Sequence, residues 1–365
     1  MIKKLEVWKV NILNNIKKNI TFLIILTIII LLIVLKDDFN NIILTLRNID
    51  LKYIILAIIL YFLSVGIKGF VNYLVVNDSN KISIKEAIKH NIIIQFFNGI
   101  TPFSTGGQPM EVYLLTEHKI SVSKATDYTV QSFIYYQIAL VICGVIAVLY
   151  NFIFHIFPKV KLLQQLVLLG FIINILVIVV LLLISHSKRV MDFFSKITFK
   201  LCKKLKIKKT EVEIENIFKE YYKGFKEIKE RKGLAFVGIV LNMFSLICLY
   251  IIPLIIILGI GHGNSMSIID TLVSSAYVYV IGSFVPIPGA SGGIEYGFTQ
   301  FYGNFIGLET ISALLLVWRF ITYYVGVIVG GLIFYIEKKV QDENRNIFWN
   351  IWTIYKWLSN KWSNA

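Results

Sequence analysis

Pro102-Phe103-Ser104-Thr105-Gly106-Gly107, with Glu111 four residues on, and Pro288-Gly289-Ala290-Ser291-Gly292-Gly293, with Glu295 two residues on, decide how this chain is read. Both stretches have the form P-x-x-x-G-G followed by a glutamate. Each sits in an apolar run long enough to pass for a membrane helix. Proline, however, removes a backbone donor, and glycine lowers helix propensity, so neither run is expected to be one straight span. Backbone broken at membrane depth leaves amides unpaired, which is tolerated only where protein buries it or a wet cavity receives it. The two breaks are therefore expected to wall one site.

Composition supports a membrane setting. Hydrophobic residues make up 56% of the 365 and charged residues 16%, with a mean hydropathy of +0.72. That leaves too little polar surface to cover a soluble globule. The apolar runs are continuous, whereas barrel strands alternate over about ten residues. The expected fold class is thus an all-α integral membrane protein. Cys143, Cys202 and Cys248 are far apart and show neither disulfide nor metal spacing, and no cofactor is called for. The formal charge of +15 is read as orientation and attraction to anionic lipid, with no nucleic-acid partner.

Residues 1–18 place Ile2, Leu5, Trp8, Ile12 and Ile16 on one helical face and lysines on the other, the pattern of an interfacial helix. Asn19 to Leu35 resembles a signal peptide, but Lys36-Asp37-Asp38 follows where a small-residue cleavage site would stand, so it is expected to be retained as span one. The further full spans are Tyr53–Val76, Tyr128–Phe154, Leu162–Ile184, Gly233–Gly259 and Leu308–Ile336. The first broken segment runs from about Asn91 to Leu115 and the second from about Thr271 to Gly307. Residues 19–336 then form a single embedded domain. The hydrophilic stretch 185–232 reads as a solvated basic loop against anionic headgroups, and residues 337–365 as an amphipathic aromatic tail.

The Lys and Arg residues orient this arrangement. Five fall in 1–18, five in 81–127, fifteen in 185–232 and five in 337–365, so 30 of 37 lie on one side against 5 on the other. The bias predicts both termini in the cytoplasm and six full spans. The first break then enters from the cytoplasm and the second from outside. Units of about 53–154 and 233–336 become an inverted repeat, an architecture of alternating access.

Four ionisable groups fall at membrane depth: Lys68, Glu111, Glu295 and Arg319. Each would cost about 2.5 to 3.5 kcal/mol facing lipid at mid-bilayer, so each is expected to face the interior or a partner. On the helix of Arg319, residues Tyr323, Gly326 and Gly330 follow on the same face and make a small-residue groove. The candidate substrate-binding set is Arg319, Glu295, Glu111, Lys68 and Tyr323, with Gly106, Gly107, Gly292 and Gly293 and the hydroxyls of Ser104, Thr105 and Ser291. The guanidinium and, beside it, Lys68 are expected to hold a phosphate. Two bland readings compete: an Arg–Glu pair that merely locks the bundle, and a lysine that snorkels to the surface. Gly289-Ala290-Ser291-Gly292 matches the G-x-S-G of rhomboid-type proteases. Their base is a later histidine, and none follows His262, so no catalytic residue is assigned.

The P-x-x-x-G-G-x-x-x-E of Pro102 to Glu111, the Pro286-Ile287-Pro288-Gly289 with Gly292-Gly293-Ile294-Glu295, and Trp318-Arg319-Phe320-Ile321-Thr322-Tyr323-Tyr324 together resemble the transmembrane region of lysylphosphatidylglycerol synthase, also called multiple peptide resistance factor. The resemblance runs from span one to Ile336. It implies a module of the bacterial cytoplasmic membrane that flips aminoacylated phosphatidylglycerol or, in other branches, a different lipid-linked headgroup such as a polyprenyl-phosphate-linked sugar. Full-length enzymes of that family add a soluble domain that transfers lysine from tRNA. Only 29 residues follow Ile336 here, short of the ~100 to 200 of a typical domain, so the transferase half is expected to be missing. A phosphatidylglycerol lysyltransferase, or its membrane subunit working with a separate soluble aminoacyltransferase, is the alternative. A second copy of the chain is a further candidate partner.

Overall fold

The computed structural model describes residues 44–338, apart from 46, 78–81, 157–159, 187, 205–209, 213, 217, 220–229, 264 and 304. Span one, the interfacial helix of residues 1–18 and nearly all of the aromatic tail lie outside the described residues. Among those described the structure is helical throughout, with no strand.

The chain first forms α1, Leu51–Val76, started by the Asp50 carboxylate, which accepts from the Lys52 amide at 3.0 Å. A capping box then opens α2, Ile84–Gly99: the Ser83 amide donates to Glu86 Oε2 at 2.7 Å and the Glu86 amide to Ser83 Oγ at 3.2 Å. A tight 3-10 turn at Pro102–Ser104 separates α2 from α3, Gly107–Glu117. At about 1.5 Å per residue neither helix crosses a hydrocarbon core of about 30 Å alone. The first break is therefore a helix–turn–helix unit, and it begins at Ile84 where the sequence suggested Asn91.

Next come α4, Val122–Phe154; α5, Lys161–His186; and the amphipathic α6, Lys188–Lys204. The second half starts with α7, Lys232–Tyr250, and α8, Ile252–Gly259, which joins it through Ile251 with Pro253 in its first turn, so that Lys232–Gly259 forms the one span the sequence suggested. It continues through α9, Ile268–Gly282; a second 3-10 turn at Pro288–Ala290; α10, Gly293–Tyr302; and α11, Leu308–Arg319. α11 passes through a π turn at Phe320–Tyr324 and runs on to Lys338. Such π turns often sit at functional positions.

Among the described residues, four helices are long and apolar enough to cross a membrane: Leu51–Val76, Val122–Phe154, Lys232–Gly259 and Thr310–Lys338. α5 carries a shorter apolar run, Lys161–Val177. Four of the six expected spans are thus found among the described residues, the expected span four falls on the helix α5, and span one lies outside the described residues. The outward faces of α1 and α4 present Leu51, Ile55, Ile59, Ile146, Leu149, Phe152 and Ile153 to the surroundings. Exposed bulky apolar side chains in such continuous stripes suit lipid rather than water.

The interior is aromatic and close-packed. Tyr277 and Phe301 stack at 5.2 Å between centroids, and Phe298 lies between Tyr302 at 4.3 Å and Trp318 at 4.5 Å. A second cluster joins the two halves of the chain, with Ile93, Phe96 and Phe97 of α2 packed against Tyr323 and Val327 of α11. The approach is close because Gly330 has no side chain. A methyl group there would meet Phe96 Cβ at 3.0 Å and collide with the Ile92 carbonyl.

Candidate functional site

The two turns touch each other, and both carry backbone that L residues rarely adopt. In the first, Phe103 and Ser104 have φ of 53° and 52°; in the second, Gly289 has 64°, Ala290 53° and Gly292 87°. Non-glycine residues with positive φ cost of order 1 to 3 kcal/mol and persist only where their surroundings over-determine them. Those surroundings are visible. Thr101 Oγ1 accepts from the Gly106 amide at 2.8 Å and Asn98 Oδ1 from the Gly107 amide at 2.9 Å, so amides freed at the start of α3 are satisfied by side chains from before the break.

Arg319 braces the second turn. Its Nη2 donates to the Gly289 carbonyl at 2.9 Å, to Ser291 Oγ at 3.3 Å and to Glu295 Oε1 at 2.7 Å. Glu295 also accepts from the Gly292 amide at 2.6 Å, which caps α10. The Arg319 Nε is buried with no hydrogen-bond partner among the described residues, and the guanidinium lies 4.8 Å from the Tyr323 ring centroid. Tyr323 in turn donates from its hydroxyl to the Gly99 carbonyl at 2.9 Å, so α11 holds the first break through Tyr323 and the second through Arg319.

Between the breaks lies a cavity of about 500 Å³. Of the candidate residues, Arg319, Glu111, Lys68, Tyr323, Ser104, Thr105 and Gly107 line it. Ser291 and Glu295 stand behind its wall as partners of Arg319, and Gly106, Gly292 and Gly293 shape the turns. Glu111 Oε1 accepts from Asn72 Nδ2 at 2.7 Å and is buried. Lys68 Nζ sits 4.4 Å from the Tyr136 ring centroid, and among the described residues no carboxylate lies within ion-pair distance of it. A cation–π contact contributes about 0.5 to 2 kcal/mol, short of the roughly 2.5 to 3.5 kcal/mol that a lysine costs at membrane depth. Lys68 is left as a cation suited to receive an anion.

The charged candidates are outnumbered by groups the motifs did not point to. Asn72, Asn91, Gln95, Asn98, Gln108, Gln137, Asn174 and Asn242 all line the cavity. Gln137 donates to Asn174 Oδ1, and Asn174 donates to Ser283 Oγ at 2.6 Å, so α4, α5 and α9 are linked by amides. The signal was present in the sequence: single carboxamides standing in otherwise apolar spans cost energy there and are expected to face a polar interior. No group of three His, Cys, Asp or Glu able to hold a metal occurs among the described residues.

Residues 20–330 match the model of the lysylphosphatidylglycerol synthase TM region. The chain belongs to this family. Similarity to a UPF0104 membrane protein of Archaeoglobus fulgidus, 25% identical over 262 residues, covers 69% of this chain and 76% of that relative. As a member of the lysylphosphatidylglycerol synthase TM region family, the chain is a membrane protein, and the matched residues include both breaks, Lys68 and Arg319.

Proposed function

We propose that the chain is a flippase, carrying an anionic or aminoacylated phospholipid from one leaflet of the cytoplasmic membrane to the other. The observation that carries this reading is the cavity at the meeting of the two breaks, with Lys68, Glu111 and Arg319 on its wall. A headgroup leaving water needs fixed groups in place of its hydration, and broken helices at membrane depth supply such groups in transporters. Lys68 and Arg319 meet the phosphate, Glu111 faces the cationic part of an aminoacyl headgroup, Glu295 holds Arg319 in place from behind the wall, and the turn hydroxyls of Ser104 and Thr105 add neutral contacts. The two helix–turn–helix units, each between longer helices, act as an inverted pair, an orientation supported by the 30 to 5 division of Lys and Arg. The basic loop with α6 lies on anionic lipid at the cytoplasmic side.

The test is transfer between leaflets. The purified protein is reconstituted into vesicles with acyl-labelled phosphatidylglycerol, and the inner-leaflet pool is followed by surface quenching. Crossing at least tenfold faster than in protein-free vesicles is expected. Crossing at the protein-free rate for every phospholipid tried would reject the reading, and lysine transfer from charged tRNA by the protein alone would replace it with the enzyme.

A further inference from the structure

Resting on the transport reading, we propose that Glu111 is a proton site: an anionic headgroup enters the cavity together with one proton on this carboxylate, and the two cross as a pair. Glu111 is buried on α3 at membrane depth and lines the cavity. Its Oε1 accepts from Asn72 Nδ2 at 2.7 Å, and no lysine, arginine or histidine among the described residues lies within ion-pair distance of it. Glu295, its counterpart beside the second break, is paired with Arg319 at 2.7 Å. The two glutamates of the repeated motif are thus held differently, one by a fixed charge and the other by a neutral carboxamide. A neutral donor suits both protonation states. An ionised carboxylate accepts from Asn72, and a carboxylic acid still accepts through its carbonyl oxygen while its hydroxyl can donate. Glu295 lacks this latitude, because protonating it would strand the buried guanidinium. An ionised carboxylate drawn out of water without a counter-ion takes up a proton rather than stay charged.

The charge of the wall is the second reason. Lys68 stands on α1 one turn from Asn72, lines the same cavity over the Tyr136 ring, and has no carboxylate at ion-pair distance among the described residues. Arg319 and Glu295 cancel. An ionised Glu111 therefore cancels Lys68 and leaves the phosphate of an incoming lipid unbalanced, whereas a protonated Glu111 leaves Lys68 to balance it. An aminoacyl headgroup brings its own cation to Glu111; a headgroup without an ammonium needs the proton. That proton comes from water on the side of entry and returns to water on the side of exit, so the pair is electroneutral and no other reactant is consumed. The other ionisable groups facing the cavity are Tyr61, Tyr136, Tyr279 and Tyr323, a residue type that is uncharged at neutral pH. On the elements packed against α3, His90 of α2 stacks on His118, about two turns along from Glu111, and Asp127 of α4 is buried outside the cavity lining.

Calorimetric titration of the solubilised full chain with glycerophosphoglycerol, in pairs of buffers that differ in heat of ionisation, tests this. The protonated site binds the anion more tightly, so the Kd is expected to rise roughly tenfold or more between about pH 6 and about pH 9, with uptake approaching about one proton per probe at the alkaline end. Glu111→Gln keeps an uncharged acceptor for Asn72. At about pH 9 it is expected to bind the probe roughly tenfold or more tighter than the unaltered protein, with a flat pH profile. A gain of affinity cannot come from a collapsed site. No binding at any pH, a flat profile in the unaltered protein, or a slope and uptake that persist in Glu111→Gln, which would put the proton on Lys68, would overturn the proposal. Vesicles separate it from the transport reading. Acid on the side of labelled phosphatidylglycerol should speed its crossing by the unaltered protein and leave Glu111→Gln indifferent. If the lipid crosses equally fast with and without the gradient, the coupling falls and transport stands. If no lipid crosses while the probe still binds with its proton, transport falls and the proton site stands.

Discussion

Arg319 Nη2 lies 2.7 Å from Glu295 Oε1, and the same nitrogen holds the Gly289 carbonyl, so a single guanidinium fixes α11 to both ends of the second break. Removing one partner of a buried pair leaves the other charge uncompensated, at about 3 to 5 kcal/mol, whereas replacing both with apolar groups is often tolerated. Arg319→Ala and Glu295→Gln should each lower the unfolding temperature and stop lipid crossing. The double variant Arg319→Met with Glu295→Leu should regain stability and stay inactive, because the guanidinium also faces the cavity. Recovery of transport in that double variant would reduce the pair to a structural brace.

Lys68 behaves differently, since it has no carboxylate to strand. Lys68→Gln removes a desolvated charge and should leave the unfolding temperature equal or higher, while slowing transfer of phosphatidylglycerol at least tenfold. Lys68→Arg should keep part of the activity. The leaflet assay and a thermal melt of the same preparations check both halves of this expectation.

Much of this arrangement was legible. Pro102, Pro288 and their twin glycines marked both turns, because a missing donor and a missing Cβ are properties of the residues themselves. The pairing of Arg319 with Glu295 was legible as well, since two opposite charges at membrane depth each need a partner. What the motifs could not convey was depth of packing. Helix α2 starts seven residues before its expected limit, since the Ser83–Glu86 capping box settles that boundary and the apolar pattern does not. Pro253 sits in a run apolar on both sides, so the boundary between α7 and α8 at Ile251 was invisible to hydropathy. Gln137 and Asn174 meet only because α4 and α5 lie side by side, a long-range fact that neither residue's neighbours in the chain encode.

The same capping box gives a pH dependence outside the membrane. The Ser83 backbone amide, opposed by partial burial and aided by the Ser83 hydroxyl and by His118 and Lys89, holds the Glu86 carboxyl below its ordinary value of 4.5. A lowered native value means that the ionised carboxylate stabilises the fold fully above the ordinary value and loses that contribution as pH falls through the depressed one. Unfolding temperatures followed downward from about pH 6 should therefore drop less steeply in Glu86→Gln than in the unaltered protein. Parallel acid limbs would show that the box contributes nothing.

Orientation is tested separately from chemistry. Single cysteines at Asn264 and Lys204, in a background free of Cys143, Cys202 and Cys248, should react with an impermeant maleimide from opposite faces of the membrane. Lys204 is expected on the cytoplasmic side. Labelling of both from outside would remove the inverted pairing of the two breaks.

The most direct measurement concerns where a headgroup sits. A phosphatidylglycerol analogue with a photoactivatable diazirine on its headgroup is reconstituted with the protein, irradiated, and the attached peptides are identified by mass spectrometry. The account predicts attachment within residues 104–108 and 129–137, the stretches of the first turn and of α4 that line the cavity. Attachment confined to the lipid-facing stretch of α4 around Leu149, Phe152 and Ile153, with none in the cavity, would contradict it.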